Sequence, residues 1–206
     1  MFTGLTAWGF FLEAVTGGTG SIVANSGLVK KVYLPREIFP LSTLGTSAVN
    51  SAIQLAILLG AILVTGSLPS VAQLAYLPFA LIVLVVYATL FGLLLSALNV
   101  YMRDIQHLIE VITFLAFWAS PIVYSYSYVQ KALETNYPIA HEIYLSNPVT
   151  LAILGFQKSL WAAGVDQPYP SHLMIRLVLA ALVGVVLIFG AHRVFARLEG
   201  NFAQEL

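Results

Sequence analysis

Few side chains in this sequence have both the type and the spacing to do chemistry. His107 and Glu110 stand three residues apart in His107-Leu-Ile-Glu110. On a helix that spacing sets an imidazole beside a carboxylate, as in a metal pair or an acid–base dyad. No third ligand follows nearby, and the other such pair, His141-Glu142, lies far along the chain. Cysteine is absent, which removes thiolate ligands, disulfides and cysteine nucleophiles together. There is no phosphate loop of the Gly-x-x-x-x-Gly-Lys-Ser/Thr kind and no Gly-x-Gly-x-x-Gly. No catalytic residue, no metal site and no cofactor is therefore assigned to the chain, and ATP hydrolysis is not expected on it.

The elements that must position any site are set by a scarcity of charge. Of 206 residues, 59% are hydrophobic and only 9% charged, too few to cover a water-facing surface. Nine basic residues balance nine acidic ones, so nothing suggests a nucleic-acid partner. No Asp, Glu, Lys or Arg occurs in the 65 residues between Glu37 and Arg103. A helix crosses the hydrocarbon core with about 20 residues, so this run suits two spans. The break falls at Gly66-Ser-Leu-Pro69-Ser70, giving spans over 39–65 and 71–98. Further spans are expected over 108–126 and 173–192, with a partial one over 1–18. The 127–172 connection is mixed in character, and its apolar runs suit re-entrant or interfacial helices. The expected fold is an all-α integral membrane bundle, polytopic, with four full spans, since backbone groups in lipid must pair within helices or a closed barrel. Pro78 and Pro121 are expected as kinks inside their spans, and Gly60, Gly92 and Gly184 as points of close helix contact.

Basic residues in short loops set the orientation. Lys30, Lys31 and Arg36 precede the 39–65 span, Arg103 follows the 71–98 span, and Arg193 and Arg197 follow the last. Alternation puts all of them, and the C-terminus, on the cytoplasmic face, and puts 127–172, with His141-Glu142, outside. The 1–18 piece then arrives from outside, which implies an earlier span upstream and a sequence truncated at its N-terminus.

The loop Asn25-Ser-Gly-Leu-Val-Lys30-Lys31-Val-Tyr33-Leu-Pro35-Arg36-Glu37-Ile-Phe-Pro40-Leu-Ser resembles the one before the third span of bacterial ABC-2 type permeases. The branch it resembles exports polysaccharides and polyol phosphates, O-antigen and teichoic acid among them. Gly4-Leu-Thr-Ala-Trp8-Gly-Phe-Phe11, Ser96-Ala-Leu-Asn99-Val-Tyr-Met-Arg103-Asp104-Ile-Gln-His107, Ser120-Pro121-Ile-Val-Tyr124, Asn147-Pro148-Val-Thr150 and the tail from Phe195 fit the same family in the same order.

That resemblance implies a multi-pass permease of the bacterial inner membrane. It would work as a homodimer with a separate ABC ATPase subunit and move a lipid-linked glycan or polyol phosphate polymer. The 20–37 segment is expected to couple to the ATPase: 21–33 is helix-compatible and Pro35 closes it. Lys30, Lys31, Arg36 and Glu37 there, with Arg103 and Asp104 in the next cytoplasmic loop, are the candidate coupling residues; for Arg103-Asp104 the structural reading is a local ion pair at two helix ends. Phe117, Trp118 and Tyr124 are candidate conduit-lining aromatics, against the alternative of an interfacial belt. Asn50 and Gln54, four apart on one face, face the conduit or hydrogen-bond a neighbouring helix. A secondary transporter is the alternative, and it would want an acidic residue in the middle of a span, whereas the one acidic residue of the four full spans, Glu110, stands at the start of its own. A membrane-embedded lipid-linked glycosyltransferase is the remaining one.

Overall fold

A computed structural model describes residues 2–31, 34–66, 68–134, 137–161 and 167–205. The described residues are helical throughout, with no strand among them. Among the described residues, three helices are long and apolar enough to cross a membrane. They are α3 (Ile38–Thr65), the run formed by α4 (Val71–Leu74) with α5 (Tyr76–Tyr101), and α10 (Leu173–Leu198) with the turn that continues it. The expected turn at 66–70 is built by its own residues. Gly66 takes the left-handed conformation at φ +68° and closes α3. Ser70 then opens α4 with a reciprocal capping box, its Oγ accepting from Gln73 N while Gln73 Oε1 accepts from Ser70 N.

The expected span over 108–126 is a shorter object. Helix α6 (Ile105–Ala119) has 15 residues, about 22 Å at 1.5 Å per residue, against a core of roughly 30 Å. It stops because Pro121 drives Ser120 out of the helical region, to φ −93° and ψ 150°. Pro121 therefore ends a helix rather than kinking one, and Pro78 sits in the first turn of α5, where its missing N–H costs nothing. After Pro121 come α7 (Tyr126–Val129), a π-turn at Gln130–Glu134, α8 (Pro138–Leu145) and α9 (Pro148–Leu160). Asn147 caps α9 by accepting from Val149 N at 3.0 Å, with Pro148 as the first helical residue.

The region of the partial span expected over 1–18 lies in a helix that runs on to residue 24, α1 (Phe2–Ala24), followed by α2 (Ser26–Lys31). It runs through Gly17-Gly18-Thr19-Gly20 because these glycines pack against neighbours. A Cβ on Gly18 would lie 3.1 Å from Gly92 Cα, and one on Gly20 would lie 3.2 Å from Gln106 Oε1. Tertiary contact outweighs the roughly 1 kcal/mol each glycine costs a helix. The helical expectation for 21–33 breaks at Asn25 between α1 and α2, and Val32 and Tyr33 lie outside the described residues.

Helix α1 is the axis of the molecule. It packs between α3 and α5, with α9 behind it and α6 across it; α10 lies on the far side of α5. Trp8, Phe11, Phe91, Leu84, Phe156 and Leu177 belong to this core, Phe11 meeting Phe91 edge-on at 6.2 Å. Gly155 lets α9 approach α5 and α10, since a Cβ there would stand 2.8 Å from Ala80 Cβ and 3.2 Å from Leu177 Cδ1. Gly184 is likewise pressed on Tyr87, whereas Gly60 has open space around it, so it makes no close contact.

Candidate functional site

The side of α1 not covered by α5 and α9 is an open strip. At 100° per residue Gly9, Leu12, Glu13, Thr16 and Gly20 fall on one face, and all five are half-exposed. Helix α3 flanks this strip on one side and α6 on the other, leaving a groove whose floor is narrow because glycine recurs along it. Between α1 and α6 the groove opens to a volume of about 470 Å³, lined by Trp8, Leu12, Thr16, Glu110, Thr113, Phe114, Phe117 and Trp118.

Glu13 lies at the midpoint of α1, roughly 16 Å from either end. Its Oε1 accepts a hydrogen bond from Asn50 Nδ2 at 2.6 Å. Gln54, one turn further along α3, approaches Gly9, where an added Cβ would be 3.8 Å from its Oε1. Asn50 and Gln54 thus both turn to α1, as their spacing implied. The acidic partner is the residue that sequence reasoning passed over. Its signal is a single carboxylate within the apolar 1–18 piece, outside the four full spans. On the other flank Gln106 Nε2 donates to Thr16 O and to Glu110 Oε1, both at 3.4 Å, while its buried Oε1 has no partner. Asn99 secures this corner, donating to Thr19 O at 3.1 Å and accepting from Gln106 N at 3.1 Å.

The aromatic candidates divide. Phe117 lies 5.9 Å from Trp8 and 5.8 Å from Trp118, a continuous aromatic wall along the groove. Tyr124 is elsewhere. It donates to Ala119 O at 2.7 Å and lines a separate pocket of about 170 Å³ with Tyr126, Gln157 and Tyr169. Two hydrogen bonds support that region: Gln157 Nε2 to Pro121 O at 2.6 Å, and Lys158 Nζ to the Tyr76 hydroxyl at 3.0 Å. His141 Nε2 pairs with the Tyr126 hydroxyl at 2.8 Å, and Arg176 grips Glu142 with two hydrogen bonds of 2.9 and 3.0 Å. The Arg176 guanidinium beside Glu142 holds that carboxyl below its ordinary value. His107 and Glu110 stand 3.6 Å apart with both side chains largely exposed. A solvent-facing pair of that kind contributes little.

The candidate coupling residues also divide. Lys30 and Lys31 are exposed at the end of α2, and Arg103 and Asp104 are exposed in the turn between α5 and α6. Among the described residues no ion pair joins Arg103 to Asp104, and Asp104 makes no side-chain cap on α6. Arg36 and Glu37 are instead engaged within the chain. The Arg36 guanidinium lies 5.7 Å over the ring of Phe202 in α11 (Phe202–Glu205), and Glu37 Oε1 is 2.8 Å from His192 Nδ1. Phe202 is fully buried; its ring meets Phe195 edge-on at 5.6 Å and Tyr101 at 6.1 Å, while the Tyr101 hydroxyl donates to Leu198 O at 2.8 Å.

Residues 1–161 match the family model described as ABC-2 type transporter. The chain is 26% identical over 206 residues to the O-antigen export system permease protein RfbA of Myxococcus xanthus, covering all of this chain and 75% of that protein. It is also 24% and 23% identical to two proteins of the same name from Klebsiella pneumoniae, covering 74% of each.

Proposed function

The chain belongs to the ABC-2 type transporter family, and from that premise we propose that it is the membrane-spanning permease subunit of an ATP-driven polysaccharide exporter. One observation carries the reading: the whole chain aligns with permeases named for O-antigen export. The groove along α1 agrees with it, because sugar rings set their C–H faces on aromatic rings and their hydroxyls on acceptors, and both line its wall.

In this reading ATP is hydrolysed on a separate subunit, two permease copies face one another, and the substrate is a lipid-linked glycan in the inner membrane of a bacterium. The basic clusters, and with them the C-terminus, face the cytoplasm. Lys30 and Lys31, exposed at the end of α2, meet acidic residues of the ATPase, and Arg103 and Asp104 form the second contact. Arg36 and Glu37 act one step back, tying the start of α3 to the C-terminal segment. Lys30→Glu with Lys31→Glu is expected to weaken co-purification of the ATPase while the permease stays monodisperse. Unchanged co-purification would remove the two lysines from the contact.

Glu13 is the one feature that favours an ion-coupled transporter, which uses carboxylates inside spans. Cells separate the two drives. Export stopped by ATP depletion but continuing under a protonophore matches the ABC reading, and the reverse result matches ion coupling.

A further inference from the structure

The apolar interior comes in two parts, and the smaller one shares no residue with the groove. It draws on six helices at one end of the bundle: Ile22 of α1, Val29 of α2, Phe39 of α3, Val100 of α5, Phe195 of α10 and Phe202 of α11. Phe202 is the member that composition does not announce. It sits in Glu199-Gly-Asn-Phe202-Ala-Gln-Glu205, a stretch too polar to form a core of its own. Helix α11 has only four residues, and a helix that short does not hold itself together. The fully buried Phe202 ring, packed on Phe195 and Tyr101, is what keeps the segment folded back on α5 and α10.

Helix α2 depends on its surroundings in the same way. It has six residues, of which only Val29 is buried, so it too is unstable alone. Its exposed Lys30 and Lys31 therefore stand where the residues on either side put them. Ile22 and Val29 fix one side in the small core. On the other side Arg36 lies 5.7 Å over the Phe202 ring, Glu37 Oε1 is 2.8 Å from His192 Nδ1, and Phe39 returns to the core.

We propose that the C-terminal segment sets the position of α2 against the ATPase, with Phe202 as the positioning residue and His192 as a second tie. The proposal rests on the reading of the chain as an exporter permease whose α2 meets the ATPase. A contact segment that wanders binds only in proportion to the time it spends in the competent place. An α2 held there roughly a tenth of the time binds about tenfold more weakly. Phe202 and His192 act on this fraction without touching the partner.

Two readouts test the parts of this claim separately. The chain has no cysteine, so Gly27→Cys and Leu68→Cys place two spin labels at exposed sites, one on α2 and one past the end of α3. Their distance distribution is measured for the permease in lipid nanodiscs with no partner present. A fixed amount of the cognate ABC ATPase is then titrated with unlabelled permease nanodiscs, and stimulated ATP hydrolysis gives the half-saturating concentration. Phe202→Ala is expected to broaden the distribution and raise that concentration about tenfold, with the rate at saturation unchanged. Phe202→Leu refills the space and should restore most of both. Phe156→Ala opens a similar cavity in the main core, and should lower the melting temperature while moving neither readout. Should Phe202→Ala not elute monodisperse, His192→Ala, at a half-exposed site, must move both in the same direction. A distribution as narrow as the native one, or equal broadening in Phe156→Ala, overturns the proposal. Broadening without a change in half-saturation also overturns it, and removes α2 from the ATPase contact while the exporter reading stands. If the native permease leaves ATP hydrolysis unaltered at every concentration, the exporter reading falls and takes the proposal with it.

Discussion

Helices α1 and α3 pack side by side, and the more polar of the two is the more deeply buried. Helix α1 carries Glu13, five glycines and four threonines, yet thirteen of its 23 residues are buried. Helix α3 carries no charge and is apolar enough to cross a membrane, yet buries only Phe39, Pro40, Ser47 and Leu58 of its 28 residues. In water this order would be reversed. In lipid the surrounding solvent is as apolar as leucine, so burying Val49, Ile53 or Ile57 gains little. What draws a helix inward there is close backbone approach and the pairing of polar atoms. Small residues and Glu13 supply both for α1.

The sharpest way to break that contrast is to make the same substitution in each helix. Gly18→Val pushes a side chain into the Gly92 backbone, which has no rotamer to move aside, and is expected to cost about 1–3 kcal/mol in unfolding from mixed micelles. Gly60→Val meets open space and should stay within about 0.5 kcal/mol of the native protein. Equal losses would mean that α1 is not held by close approach. Next in size is the polar link between the two helices. Asn50→Ala removes the donor to Glu13 and should lower stability by about 0.6 kcal/mol, the mean for interhelical hydrogen bonds in membranes; a loss above about 2 kcal/mol would make this pair, rather than the glycines, the main anchor of α1.

The smallest expected effect lies outside both helices and serves as the control for charge. Glu142 is exposed, and its folded pKa is depressed from the ordinary 4.5 by the hydrogen bond from Arg176. Its stabilisation is therefore present above the unfolded value and lost as pH falls through the folded one. Melting temperature should decline slightly in that acidic window, and Glu142→Gln should flatten the decline. A large acid transition that survives Glu142→Gln would mean that the Arg176–Glu142 pair is not its source.

The uncharged stretch between Glu37 and Arg103 made α3 and α5 legible, because nothing but a lipid-facing pair accommodates that many residues without charge. The turn at Gly66 and Ser70 was legible for a local reason, since it is made by the side chains that announce it. Helix α1 was not. Gly17-Gly18-Thr19-Gly20 reads as a break until Gly92 and Gln106 stand against it, and those partners are some 75 and 85 residues away. The short α6 was missed because apolar character continues past Ser120 while the backbone turns at Pro121. At the site, Asn50 and Gln54 were legible by their shared face and Phe117 and Trp118 by type. The groove that relates them is built by α1, α3 and α6 together, from residues far apart in the chain.

Phe202 has a mechanical consequence. Its ring is wedged against Tyr101 at the end of α5 and Phe195 on α10, with the guanidinium of Arg36 above it. Three regions far apart in the chain, around Arg36, Tyr101 and the Phe195–Phe202 tail, thus share one keystone at a single end of the bundle. The start of α3 and the ends of α5 and α10 are thereby tied into a stiff joint, so that displacing any one of them loads the other two. The far end, where α6 stops short, is held instead by polar links, Arg176 to Glu142 and Gln157 to Pro121 O among them.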